Sequence, residues 1–156
     1  MLIRQLESDQ REKILTELIE RFGFDKKIFE QFSFYKTKDN IYVCAKGAIE
    51  LAKGIAGVQD LGFAFARLGA NVKITTNIVQ LIGKFAAKNF ISISDRQAKE
   101  FISGKDFNLE TEQIKNATNG FIIVRLAADN LGVGFLRGLN VKNLLPGAKQ
   151  LPTFNF

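Results

Sequence analysis

Hydrophobic positions in the first third of the chain repeat at helical spacing and then alternate. Apolar side chains in residues 8–22 recur at steps of three and four, which predicts an amphipathic helix that ends at Gly23. Alternating segments at 32–35 and 41–44 flank a polar turn and predict a β-hairpin. Residues 46–55 predict a second helix. Its inward side chains would be Ile49, Leu51, Ala52 and Ile55.

The middle of the chain predicts two strands and a helix. Residues 62–68 and 72–75 are strand-like segments on either side of a turn. Asn77 is placed as the N-cap of the next helix, because its side chain can accept a hydrogen bond from a free backbone N–H. Helical spacing then directs four apolar side chains to the core, which are Ile78, Leu81, Ile82 and Phe85.

After residue 88 the pattern becomes mostly β. Residues 90–94 alternate as a strand, and Ser94 with Gln97 has the spacing of a capping box. The short helix that follows would end at Gly104, because glycine is suited to the left-handed position after a helix. The fold class is therefore α+β, with an α/β module at 1–86 and a mostly β module at 87–156. No Pro/Gly-rich linker separates the modules, so we expect them to pack together.

A second hairpin is predicted from strands 120–126 and 131–137 across a turn at 127–130. In that register Arg125 lies opposite Gly132, and Arg125 and Arg137 leave the sheet on opposite faces. The glycines at 132 and 134 lie inside a strand and not before a helix, so they favour a bulge or a close approach over a nucleotide-binding turn.

Two residue counts narrow the possible chemistry. Histidine is absent and Cys44 is the single cysteine. Disulfides within the chain, Cys/His zinc sites and imidazole-based catalysis are therefore excluded. We expect no catalytic residue, metal or cofactor, and a binding protein in place of an enzyme. The single cysteine favours a reducing, cytoplasmic compartment, and no apolar run is long enough to predict a membrane span.

Positive charge is unevenly distributed along the 156 residues. The net charge is +6, yet residues 1–60 hold ten basic and ten acidic side chains. The acid-free stretch 61–94 contains Arg67, Lys73, Lys84 and Lys88. Clustered Lys and Arg bind polyanions by releasing condensed counterions, so the second part of the chain is a candidate surface for one.

The order of several short motifs resembles known RNA-binding proteins. The motifs are Ile74-Thr75-Thr76-Asn77, Lys88-Asn89-Phe90, the helix ending Phe101-Ile102-Ser103-Gly104, Gly120-Phe121-Ile122-Ile123-Val124 and Leu131-Gly132-Val133-Gly134. This order is similar to a PUA domain, and the first module resembles the pre-PUA domain of the Nip-seven family of ribosome-assembly factors. The segment 136–146 is more similar to the PUA-like domain of the Sun-type rRNA cytosine methyltransferases, whose Pro-Cys nucleophile and methyl-donor glycine motif do not occur here.

The resemblance implies RNA binding, with ribosomal RNA as the partner, and places the RNA surface on the second module. The charge count indicates the same half of the chain. Candidate phosphate contacts are Lys84, Lys88, Lys105, Arg125, Arg137, Lys142 and Lys149. Hydroxyl and amide contacts are expected from Thr75, Thr76 and Asn77.

The two hairpin arginines are not equal candidates. Arg137 is favoured as an RNA contact because it precedes the basic tail. Arg125 is expected to lie over the strand beside Gly132, or to pair with Asp106 or Glu112.

Two other functions stay open at this point. The chain could be an adaptor that docks ribosome-assembly proteins through its neutral first module, or a stand-alone RNA-binding subunit of an rRNA-modifying enzyme. Neither alternative requires a membrane.

Overall fold

The computed structural model describes residues 3–151, and their first sheet is an antiparallel meander. Its five strands are neighbours in chain order. They are β1 (Arg4–Gln5), β2 (Phe32–Thr37), β3 (Asn40–Ala45), β4 (Phe63–Arg67) and β5 (Lys73–Ile74). Helix α1 (Ser8–Phe22) ends at Gly23, whose φ of 68° suits glycine, and the predicted helix and hairpin are confirmed.

Phenylalanines hold α1 to this sheet. Phe29 and Phe65 pack edge to face at 5.9 Å between ring centroids, and Phe34 meets Phe65 at 5.1 Å in the same manner. Together with Leu15 and Leu18 of α1, these rings are almost completely buried. Aromatic side chains bury large apolar areas, so this cluster supplies much of the hydrophobic stabilisation of the first module.

Two of the predicted helices bury fewer side chains than their periodicity suggested. Helix α2 (Ala48–Lys53) turns only Ile49 and Ala52 inward, whereas Leu51 is 73% exposed and Ile55 is 61% exposed. The prediction for these two side chains was wrong because Leu51 lies on the outer side of a six-residue helix and Ile55 lies beyond its end, and the described residues 3–151 cover neither.

Helix α3 (Thr76–Ile82) shows the same kind of difference. A tighter 3-10 turn, Gly83–Phe85, follows it and changes the direction of the last apolar side chains. Phe85, within this turn, is therefore about half exposed. Leu81 lies earlier, inside α3, and is about half exposed because it is on a helix face that residues 3–151 leave uncovered, so the prediction was wrong for both side chains. The N-cap is Thr75 and not Asn77, because β5 ends at Ile74 and the helix begins earlier than predicted.

The second sheet is a curled half-barrel. Its strand order is β6-β8-β9-β10-β7, with β6 and β8 parallel and the other pairs antiparallel. The strands are β6 (Phe90–Ser92), β7 (Phe107–Asn108), β8 (Gly120–Leu126), β9 (Asp129–Arg137) and β10 (Asn140–Asn143). Helix α4 (Asp95–Ile102) begins with the predicted capping box. A 3-10 turn at Thr111–Ile114 precedes β8, and another at Gly147–Lys149 follows β10.

Strand β8 is buried on both faces, which joins the two modules. Ile123 and Val133 belong to the same core as the first sheet and α1. Ile122 and Val124 point the other way, into a second core with Phe101 of α4. The expected packing of one module on the other is confirmed, whereas the boundary at 86/87 stays a prediction.

The β8–β9 hairpin has a different register from the predicted one. Leu126 pairs with Asp129 around a two-residue turn, and Arg125 pairs with Asn130. An irregularity between Val124 and Arg125 then brings Phe121 opposite Phe135. The prediction was wrong because Ala127 adopts a positive φ of 50°, so the turn has two residues and not the predicted four. A bulge in β9 then accommodates one unpaired residue, Leu131.

Asn89 fixes the joint between the modules. It is buried, and its φ of 56° lies in the left-handed region, which Asn tolerates better than most residues. Its amide nitrogen donates to the backbone oxygen of Arg21, at the end of α1. Its side-chain oxygen accepts from the backbone N–H and the hydroxyl of Thr118, at 2.9 and 3.2 Å. One side chain therefore links α1 to the loop before β8.

Asn89→Ala is expected to destabilise the protein by about 2–3 kcal/mol, because buried backbone groups lose their partner and alanine is strained at this φ. Chemical denaturation measures the change. Asn119→Ala is the control, since Asn119 makes one exposed hydrogen bond, to the N–H of Gly138. Equal midpoints for the two variants would contradict the structural role of Asn89.

Candidate nucleic-acid interface

A groove follows the boundary between the two modules. It consists of three depressions of about 750, 260 and 160 Å³. The first and second share Asn71 and Phe121 in their walls, and the second and third share Arg67 and Lys73. Because neighbouring depressions share side chains, they form one continuous surface, which we call the intermodule groove.

The floor of the groove is aromatic. Phe121 of β8 and Phe135 of β9 are directly opposed in register and line the first depression. Their ring centroids are 5.3 Å apart and the rings are nearly perpendicular, at 89°. Both side chains are half-buried, so part of their apolar surface faces the groove.

Lys88 and Arg137 line the first depression and are available to a ligand. Both are exposed, and within residues 3–151 neither forms an ion pair. Lys142 of β10 pairs with Phe135 of β9, so their side chains share one face of the sheet, and Lys142 is also exposed. The structure therefore places two of the seven predicted cations in the wall of the groove and a third, Lys142, on the sheet face that carries its aromatic floor.

Arg21 also lines the groove, but its guanidinium is hydrogen-bonded to other groups of the protein. Its guanidinium donates to the backbone oxygens of Phe121 and Thr118 and to the Thr118 hydroxyl, at 2.8 to 2.9 Å. Burial lowers its pKa. Glu17 in the same wall accepts from the N–H of Val72 at 2.6 Å and so holds the loop before β5. These two side chains shape the groove.

Arg125 has a different environment from Arg137. Its guanidinium donates to Asn130 Oδ1 at 3.0 Å and to the backbone oxygen of Gly83 at 2.8 Å. It also stacks over Phe90, 4.1 Å from the ring centroid, and burial lowers its pKa. The predicted pairing with Asp106 or Glu112 is wrong, because the two-residue turn brings Asn130 opposite Arg125.

The hairpin arginines share one face of the second sheet, contrary to the prediction. In the observed register Phe121, Ile123 and Phe135 lie on the face that packs against the first module. Arg125 stacks on Phe90 on this same face, and Arg137 follows Phe135 by two residues. They are separated along the strands by about 20 Å, so only Arg137 reaches the groove.

The remaining predicted cations lie away from the groove. Lys84 is exposed beside Phe85, with its ammonium 5.1 Å from the ring centroid. Lys105 follows α4, which packs on the opposite face of the second sheet. Lys149 donates to Gln80 Oε1 of α3 at 3.3 Å.

Two of the three residues predicted to give hydroxyl and amide contacts line the groove, and the third lies outside it. Thr75 Oγ1 donates to the backbone oxygen of Ala64 at 2.6 Å and caps α3. Thr76 is buried. Asn77 lines a separate depression with Leu81.

The groove residues that the sequence-based prediction missed include two cations, Arg67 and Lys73, and two aromatic residues, Phe121 and Phe135. The lack of acids in 61–94 was a signal for the two cations. The two phenylalanines follow strand periodicity, which is typical of core residues, and a sequence does not show which core positions border a groove.

The described part of the chain shows no metal site and no membrane span. No group of three His, Cys, Asp or Glu side chains there is arranged to hold a metal ion. No helix among residues 3–151 is long and apolar enough to cross a membrane.

Comparison with known proteins identifies the second module. Residues 88–148 match the family model described as the methyltransferase RsmF PUA domain. A search of curated proteins found no match to the chain. The resemblance to the PUA-like domain of Sun-type methyltransferases is therefore supported, whereas the resemblance of the first module to the Nip-seven family stays a prediction. Residues 88–148 are therefore similar to a PUA domain, and the intermodule groove lies where this segment meets the first module.

Proposed function

We propose that the chain binds structured RNA along the intermodule groove, with ribosomal RNA during subunit assembly or rRNA processing as its partner. The observation that most supports this is the PUA-domain match together with three exposed cations: Lys88 and Arg137 in the groove wall, and Lys142 on the sheet face of its floor. Unpaired Lys and Arg side chains attract phosphates, and a half-buried aromatic floor offers apolar surface to a base.

The proposal is for binding without catalysis by this chain, in a cytoplasmic setting. Lys and Arg contacts to phosphate fix the position of the RNA, whereas sequence choice requires contacts to base edges. The groove combines cations, a phenylalanine pair and backbone groups with two glutamates of α1, Glu17 and Glu20, and this mixture suits a binding surface.

The dependence of affinity on salt tests this proposal. If four to six phosphates are neutralised, the logarithm of the association constant should fall against the logarithm of salt concentration with a slope of about −3 to −5. Fluorescence anisotropy with a labelled rRNA hairpin measures it. A slope near zero would contradict the proposal. It would favour the adaptor function, in which the positive charge does not contact phosphates.

A second candidate function is favoured by the description of the matching family. The matching family is the PUA domain of a methyltransferase, so this chain could supply the RNA-binding part of an rRNA-modifying enzyme whose catalytic part is a separate polypeptide. Crosslinking in cells, followed by sequencing of the bound RNA, distinguishes the two. Crosslinks spread over rRNA precursors favour the assembly function, and crosslinks concentrated at a methylated nucleotide favour the second candidate.

A further inference from the structure

Two cations of the first module oppose each other in the wall of the groove. Arg67 of β4 and Lys73 of β5 are direct partners in the antiparallel register, so their side chains share one face. Arg67 is exposed and Lys73 is half-buried, and both line the second and third depressions. Like charges directly opposite in a sheet are destabilising, so this pair is unfavourable in the free protein.

A third cation reaches the same place from the second module. Lys142 of β10 lies two residues before Leu144, which lines the third depression together with Arg67 and Lys73. Burial, and then the charges of Arg67 and Lys142, lower the pKa of Lys73. Across the described residues 3–151, none of these three cations forms an ion pair with an acid.

A role in solubility alone does not account for this arrangement. Charges that only keep a protein in solution are distributed over its surface and hydrated, whereas here three of one sign converge and one of them is half-buried. The repulsion is relieved when an anion binds between them, because each cation then gains a charge-assisted hydrogen bond.

We infer that Arg67, Lys73 and Lys142 form a phosphate-binding site that holds a single-stranded stretch of the bound RNA across the boundary between the modules. The inference rests on the proposed function and extends it, because the first module then contributes directly to RNA binding. A phosphate in this site lies beside Phe121, which lines the same depression as Arg67 and Lys73. The adjacent base can therefore pack on the aromatic floor.

The test removes the two cations of the first module. The probe is a labelled hairpin RNA with a single-stranded extension of about ten nucleotides, compared with the same hairpin without it. The double variant Arg67→Gln/Lys73→Gln should lose at least about tenfold in affinity for the extended RNA, and its salt slope should become shallower by about one to two. Affinity for the hairpin without the extension should change much less.

A matched variant controls for the loss of two positive charges. Lys13 and Lys46 are exposed cations of the first module that line none of the three depressions. Lys13→Gln/Lys46→Gln should change affinity by less than about twofold, since charges outside the site are screened by salt.

Melting temperature separates a binding role from a structural one. Because Arg67 and Lys73 repel each other, their neutralisation should leave the melting temperature unchanged or raise it. Unchanged affinity in Arg67→Gln/Lys73→Gln overturns the inference and leaves the proposed function standing. A lower melting temperature together with weaker binding also overturns it, because the two charges would then be structural. Failure of the wild-type chain to bind either RNA overturns the proposed function and the inference with it.

Discussion

Gly62→Ala is expected to reduce the stability of the protein by about 4 kcal/mol or more, an unusually large effect for one methyl group. Gly62 precedes β4 and has a φ of 71°. A Cβ atom built there would lie 1.8 Å from the backbone oxygen of Val43 and 2.8 Å from its carbonyl carbon. Both atoms belong to the central strand β3, so relief of the clash requires the separation of β4 from β3.

The chain around Gly62 has little freedom to adjust. The Tyr35 hydroxyl donates to the backbone oxygen of Leu61 and accepts from its N–H, so the residue before the glycine is attached to β2. On the other side, Phe63 pairs with Val43 in the β3–β4 register. The glycine is therefore fixed on both sides, and a side chain at this position disrupts the sheet.

Gly57→Ala is the matched control for this prediction. Gly57 also has a positive φ, of 83°, but a Cβ atom there meets nothing within 4 Å. Its substitution should cost only the strain of a left-handed alanine, about 1 kcal/mol. Urea denaturation of both variants gives the difference. If Gly62→Ala and Gly57→Ala unfold at the same urea concentration, Gly62 does not approach β3 as closely as the structure shows.

The elements that could be predicted from sequence are those specified by local chemistry. Helix α1 has a long apolar repeat and a terminal glycine, and α4 has a capping box whose hydrogen bonds form as the Ser94 and Gln97 spacing predicts. Each of these signals depends on residues within a few positions of one another. Their structural outcome is therefore almost independent of the rest of the fold.

The side chains that were placed wrongly depend on distant parts of the chain. Leu51 and Leu81 have helical spacing, but whether such a residue is buried depends on whether another layer covers that face. The hairpin register depended on one backbone angle, at Ala127, and a change of one residue moves side chains to the other face of a sheet. The groove could not be predicted from the sequence, because its walls come from two sheets whose packing depends on the whole fold.

The corrected hairpin register separates the roles of Arg125 and Arg137, although both lie on one face. Arg125→Ala removes two hydrogen bonds, to Asn130 and Gly83, and the stacking on Phe90. It should cost about 2 kcal/mol or more and lower the melting temperature by about 5 °C. RNA affinity at a temperature where the variant is folded should be nearly unchanged, because these contacts are internal to the protein.

Arg137→Ala should give the opposite pattern. Arg137 is exposed in the wall of the groove and makes no ion pair among residues 3–151, so the folded protein loses little when its side chain is removed. Binding should weaken by about 1 kcal/mol and the salt slope should become shallower by about one, as expected for one phosphate contact. Anisotropy titrations at several salt concentrations, with a thermal melt of each variant, measure both effects. If Arg125→Ala weakens binding while Arg137→Ala lowers the melting temperature, the roles of the two arginines are reversed. The RNA would then bind at the turn end of the β8–β9 hairpin and not in the intermodule groove.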